Sequence, residues 1–180
     1  MYKERKGEKF KTNQGYEITI IEDLSSVHKL IEFNDKHKTR LVREYGHIKK
    51  GSIKNPYHPT VCGVGYLGSL NVPFEKKKRV YDIWTVMIGK CYNPKDTHYK
   101  WYGQKGVTVC ERWHCFANFF NDFMELEGYE EWCTSQEVYH LDKDIKQFGK
   151  EMSEKVYSPD TCLLVPARVN VREMVQRNYS

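Results

Sequence analysis

His140-Leu141-Asp142-Lys143-Asp144-Ile145, then a glycine-bearing loop, then Tyr157-Ser158-Pro159-Asp160-Thr161-Cys162-Leu163-Leu164-Val165-Pro166-Ala167-Arg168-Val169-Asn170, is the stretch on which the reading of this chain turns. Side chains on a strand alternate with period two, so His140, Asp142 and Asp144 are expected on one face. Two carboxylates and an imidazole converging there would hold a divalent ion and supply a general base. Alternating charges at a strand end also suit a solvated surface, and the triplet alone does not choose.

Upstream, Val80, Ile83, Trp84, Met87, Ile88 and Cys91 recur at helical spacing and give one apolar face. A second helix is expected with Trp113, Phe116, Phe119, Phe120 and Phe123 on its apolar side. Aromatic stripes of this kind are core. Between the helices, Tyr99, Trp101 and Tyr102 lead into a Gly103-Gln104-Lys105-Gly106 turn and a short Val107-Thr108-Val109 strand. A nucleic-acid role in this region belongs to the turn and to Lys95, Lys100 and Lys105. Glu75-Lys76-Lys77-Lys78-Arg79, ahead of the first helix, reads as a linker or a strip of phosphate contacts.

The N-terminal segment reads as β. Strands are expected at residues 16–21 and 27–33, with a weaker third at 41–45, separated by turn signals at 13–15 and 34–35. A basic segment punctuated by Gly and Pro follows at 46–56 and carries Lys49, Lys50 and Lys54. Such a sheet suits a DNA groove or backbone, and equally a solvated β-domain. Gly63, Gly65 and Gly68 match GxGxxG, but that fingerprint must open a helix. Ser69-Leu70-Asn71-Val72-Pro73 is no helix start, so these glycines are expected in tight turns.

Composition narrows the classes. The chain has 180 residues, 29 Lys+Arg and 24 Asp+Glu, a formal charge of +5 and 39% hydrophobic residues, enough for a core. No window approaches the roughly 18 apolar residues of a membrane helix, and the charged start Met1-Tyr2-Lys3-Glu4-Arg5-Lys6 lacks a secretory pattern. The charge is unevenly spread. Residues 1–112 hold 22 basic and 12 acidic side chains, or +10; residues 113–139 hold none and six, or −6; residues 140–180 hold seven and six, or +1. A basic N-terminal region suits a polyanion. The six cysteines, Cys62, Cys91, Cys110, Cys115, Cys133 and Cys162, form no CxxC pair. They are expected as reduced core thiols in a cytoplasmic protein, with no structural zinc.

The quoted stretch resembles the HNH endonucleases of bacteriophages, many of them homing-type. In those proteins an LD[R/K/H] strand, a loop, YSPxxC, a hydrophobic strand and a short helix form a ββα-metal nuclease finger. Trp84 to Met87, Lys90 to Asn93, Tyr99 to Cys110 and Trp113, Phe116 and Phe119 are similar to the WxxMxxRCYN…YGGxGVxVCxxWxxFxxF block of the same family. Residues 49–57 and 63–68 are similar to segments that precede it.

The resemblance implies an α+β fold in three parts. These are a basic β-rich DNA-binding region (1–75), a small aromatic DNA-binding unit (76–135) and a C-terminal ββα-metal finger (136–180). It implies double-stranded DNA as partner, a Mg²⁺ or Mn²⁺ cofactor, phosphodiester hydrolysis and no membrane, with a monomer favoured. Asp142 matches the acidic metal ligand and Lys143 the position of the catalytic His. Thr161 stands where many members have a loop-bracing Asn, and Asn170 matches the last motif position. The literal H-N-H therefore reads Lys-Thr-Asn. If the site is active, Asp142, Asn170 and Asp144 would hold the metal, His140 would activate water, and Lys143 would stabilise charge on the phosphate. If it is degenerate, the protein remains as a DNA-binding factor.

Overall fold

The computed structural model describes residues 4–70 and 74–169, with backbone only for 74–76. The fold is α+β and divides into two compact units, 1–58 and 59–180.

The first unit is an antiparallel meander in the order β1 (Lys9–Lys11), β2 (Glu17–Asp23), β3 (His28–Phe33), β4 (Arg40–Glu44), followed by the short helix α1 (Tyr45–Lys49). The alternation that marks β2 and β3 in sequence becomes their burial pattern. Ile18, Ile20, Ile31 and Phe33 point inward, and Ile48 and Ile53 close the same core. The register shifts between Ile20 and Glu22. This bulge ends the strict alternation within the Ile20-Ile21 pair. Lys29 is buried at the far end of the hairpin, where its ammonium pairs with Asp23. β1 and α1 were not expected: three residues are too few to show a period, and α1 begins inside the expected third strand.

The second unit is organised by α2 (Phe74–Tyr92) and α3 (Phe116–Phe123), with α4 (Tyr129–Thr134) beside α3. Val80, Trp84, Met87, Ile88 and Cys91 bury one side of α2 against Trp113, Phe116, Phe119, Phe120 and Phe123. Trp84 Nε1 donates to the Trp113 carbonyl at 2.7 Å, and Trp113 Nε1 donates to Asp122 at 2.8 Å, so both indoles are buried with their polar atoms satisfied. The stripe is core, as its spacing required. Helix α2 starts earlier than the apolar spacing alone indicates. Residues 75–79 are its first turns and not a linker, because nothing after Pro73 breaks the helix and Lys and Arg are good helix formers.

β5 (Thr108–Val109) pairs in parallel with β7 (Val156–Tyr157), and β6 (Tyr139–Asp142) pairs antiparallel with β8 (Leu163–Pro166). Residues 167–169, directly after β8, are helical. The three parts expected from sequence therefore become two. Tyr157, Cys162 and Leu164 share one core with α2 and α3, and Val61, Val64 and Leu70 pack on that core as well.

The glycines at 63–68 serve turns. Gly65 bridges Val61, and Tyr66 pairs alongside Cys115. Gly68 has φ +69°, and a Cβ there would lie 2.4 Å from Cys115 Sγ. The cysteines are free, but only Cys91, Cys115 and Cys162 are buried; Cys62 and Cys133 are exposed and so are not core thiols. Burial pushes both Cys91 and Cys162 up to about 12, so neither is a reactive thiolate. Among the described residues, no helix is long and apolar enough to cross a membrane.

Candidate functional site

The β6–β8 pair sets Tyr139 opposite Pro166, His140 opposite Val165, Leu141 opposite Leu164 and Asp142 opposite Leu163. Twenty residues separate the two strands, and their loop carries the chemistry. Strand β6 stops at Asp142 because that side chain takes over the following backbone. Asp142 Oδ1 accepts the N–H of Asp144 at 2.7 Å and of Ile145 at 2.8 Å. This turns the chain into a single 3-10 turn at Ile145–Gln147. Asp144 is therefore off the strand, with φ −92° and ψ −34°. The expected shared face of His140, Asp142 and Asp144 does not form. His140 is exposed on β6, whereas Asp142 is 2% exposed.

Lys143 and Asp144 enter a buried polar cluster. Lys143, only 1% exposed, places Nζ 2.9 Å from Asp144 Oδ2. Lys155, 4% exposed, donates from Nζ to the other oxygen, Oδ1, at 2.7 Å. Burial pushes the Asp144 carboxyl upward. The hydrogen bond from Lys155 and the charge and hydrogen bond of Lys143 outweigh it and hold the group below its ordinary value. The Lys143 ammonium also lies 4.9 Å from the centre of the Tyr102 ring and 5.5 Å from that of Tyr157. Burial, with Asp144 and Asp142 nearby, raises the Tyr102 hydroxyl, and burial raises Tyr157 well above its ordinary value, so both phenols stay neutral.

Backbone bracing completes the cluster. Gln147, itself buried, donates from Nε2 to the carbonyls of Lys143 at 2.6 Å and Val156 at 2.9 Å, and its Oε1 accepts the Val156 N–H at 3.1 Å. Thr161 Oγ1 donates to the Val156 carbonyl at 2.7 Å and accepts the Ser158 N–H at 3.0 Å. Thr161 thus ties the end of β7 to the loop before β8. Gln147, Lys155, Tyr102 and Tyr157 were not expected at the site. Of these, only Tyr157 lies in the stretch quoted from the sequence, and only as the first residue of its YSPxxC segment.

A groove of about 490 Å³ runs beside β6, lined by Val86 and Lys90 of α2 and by Tyr102, Tyr139, His140 and Tyr157. Burial lowers the Lys90 ammonium, with nearby Asp96 opposing and Lys143 adding to the effect.

The Asp144 carboxylate is not open to a divalent cation. Asp142 Oδ1 is engaged by two backbone donors, and both Asp144 oxygens are engaged by ammonium groups. A cation added at Asp144 would meet two like charges at contact distance. No cluster of three His, Cys, Asp or Glu side chains suited to a metal forms among the described residues. Asn170, the remaining candidate ligand, lies outside the described residues.

The expected DNA contacts are distributed over both units. Lys49, Lys50 and Lys54 are exposed in the first unit. In the second, Lys77 is half-buried and Lys78, Arg79, Lys95, Lys100 and Lys105 are exposed. Five of these make contacts within the protein: Lys78 pairs with Asp82 at 2.7 Å, the Arg79 guanidinium lies 3.9 Å over the Trp132 ring, Lys49 lies 5.1 Å over Tyr45, and Lys100 and Lys105 lie over Trp101. The Lys76 side chain lies outside the described residues. Lys95, Lys100 and Lys105 make no ion pair among the described residues. No family model, curated protein or solved structure matches this chain.

Proposed function

We propose that this chain binds duplex DNA on an HNH-like ββα scaffold whose finger is neutralised by the protein's own lysines. The observation that carries the reading is the Lys143–Asp144–Lys155 cluster: both oxygens of the candidate metal ligand are held by buried ammonium groups. A lysine at the position of the usual catalytic His would have to lose its proton to act as base. Instead its ammonium is committed to Asp144 at 2.9 Å.

The finger then serves as a rigid platform, and the exposed cations engage phosphates. Lys95, Lys100 and Lys105 in the second unit, and Lys49, Lys50 and Lys54 in the first, are exposed and can displace condensed counterions. Phosphate contacts of this kind fix register on the duplex and carry little sequence information. The test is duplex binding followed by fluorescence anisotropy across 50–200 mM salt, with EDTA and with Mg²⁺. Affinity is expected to fall steeply with salt and to be unchanged by EDTA; a flat salt response would sink the reading.

A second reading is metal-dependent nicking of DNA with His140 as general base. The exposure of His140 at the edge of the groove, one strand position from Leu141 and two from Asp142, supports it. Plasmid nicking with Mg²⁺ or Mn²⁺ separates the two. Under the first reading the wild type does not nick. Metal-dependent nicking that is lost in both His140→Ala and Asp142→Ala establishes the second.

A further inference from the structure

The four tryptophans of the chain fall into two classes. Trp84, Trp113 and Trp132 are buried, whereas Trp101 is 53% exposed. Its surroundings explain why so large an apolar surface stays outside. Trp101 ends a 3-10 turn (Tyr99–Trp101) that is followed, after Tyr102, by a second (Gly103–Lys105). The corner between them is fixed from within. Trp101 N–H donates to the His98 carbonyl at 2.9 Å, and the Tyr102 carbonyl accepts the N–H of Lys105 at 2.9 Å and of Val107 at 3.1 Å. Gly103 lies so close to α2 that a Cβ would come within 2.1 Å of the Cys91 carbonyl oxygen. Tyr102 faces the buried cluster, and the next side chain back along the chain faces solvent. The indole is therefore held out by a rigid corner.

Two ammonium groups lie over that indole's ring. Lys100 Nζ lies 5.0 Å from the ring centre and Lys105 Nζ 5.3 Å, and both lysines are exposed. The chain has no acidic residue between Asp96 and Glu111, so nothing local neutralises them. A half-exposed indole whose two covering cations make no ion pair among the described residues can offer a nucleobase its π-face once the exposed lysine stems turn their charge to the phosphates on each side. In an intact duplex both faces of each base are already covered by its neighbours. An indole finds an open base face where that stacking is interrupted, at an unpaired base or at the edge of a gap.

Resting on the DNA-binding reading above, we propose that Trp101, with Lys100 and Lys105, is a stacking site for an unpaired base. It would direct the protein to gapped, frayed or single-stranded stretches next to duplex.

The test uses the full chain and two probes, an intact 30-base-pair duplex and the same duplex with a central three-nucleotide gap. Wild type, Trp101→Ala and Trp101→Phe are compared by anisotropy at one salt concentration. Trp101→Ala should weaken binding to the gapped probe by about tenfold, the scale of one base–aromatic stack, and leave the intact duplex within about twofold. Trp101→Phe should retain most of the affinity for the gapped probe. Acrylamide quenching gives an independent readout, because Trp101 is the accessible indole: the gapped probe should shield it and the intact duplex should not. Equal losses on both probes, or none on either, overturn the proposal while leaving the DNA-binding reading intact. Wild-type protein that binds neither probe in a salt-dependent way removes that reading itself.

Discussion

Adjacent residues place the same chemistry in opposite environments. Lys143 lies over the Tyr102 and Tyr157 rings in the interior, and Lys100 and Lys105 lie over Trp101 outside, all at about 5 Å. Inside, the ammonium is buried with Asp144 as counterion, and of its two rings Tyr157 is buried and Tyr102 half-buried. Outside, Lys100 and Lys105 make no ion pair among the described residues, and half of the indole is open. A lysine over an aromatic ring is thus a structural element where a carboxylate answers it, and under the proposal above it is a binding element where none does. The ring contact sets the geometry, and the counterion decides the role.

Removing the buried counterion should have the largest effect. Asp144→Ala leaves two buried ammonium groups unpaired, and equilibrium urea unfolding is expected to show a loss of about 3–5 kcal/mol. Lys143→Met should cost clearly less, because Asp144 keeps Lys155 and the methionine stem still packs between the tyrosines. If the two variants lose the same stability, the cluster is not organised around Asp144. Gln147→Ala comes next, at about 2 kcal/mol, since it strands the Lys143 and Val156 carbonyls and the Val156 N–H in the interior.

Acid gives a third contrast. The folded Asp144 carboxyl titrates below its ordinary value of 3.8, so its stabilisation is fully present above that value and is lost as pH falls through the folded one. The urea midpoint of the wild type should therefore drop on acidification below about pH 4, and that of Asp144→Asn should drop less. The smallest stability effects belong to the exposed corner. Lys100→Ala and Lys105→Ala should each change stability by less than about 0.5 kcal/mol. Each should also reduce the slope of log affinity against log salt for duplex by about 0.9, if it neutralises one phosphate. A variant that loses stability but keeps the slope would make the exterior lysines structural after all.

Much of the fold was legible because its elements are periodic. The spacing of Val80, Trp84, Met87 and Ile88 requires a helix with one buried side, and the stripe from Phe116 to Phe123 requires another. The alternation Ile18-Thr19-Ile20 requires a strand. The antiparallel strands on either side of the loop at 143–162, and the helical turn after β8, follow the order expected for the C-terminal stretch. The candidate site was legible only as a set of residues. Its strand-face geometry was not, because the period-two argument holds only while the strand continues, and the Asp142 carboxylate ends it by capping the backbone of Asp144 and Ile145.

The sequence by itself determined the longer helices and strands, where positive charge collects, and that two carboxylates and a lysine crowd residues 142–144. Those properties depend on neighbours along the chain. Tertiary structure alone decided what the crowded residues do. Lys155, eleven positions beyond Asp144, arrives at its second oxygen only because β7 pairs with β5 and Gln147 fastens the loop to β7. The same packing turns Tyr102 inward and leaves Trp101 outside. Whether a charge is answered or open depends on which distant group folding brings within about 3 Å, and no local pattern encodes that distance.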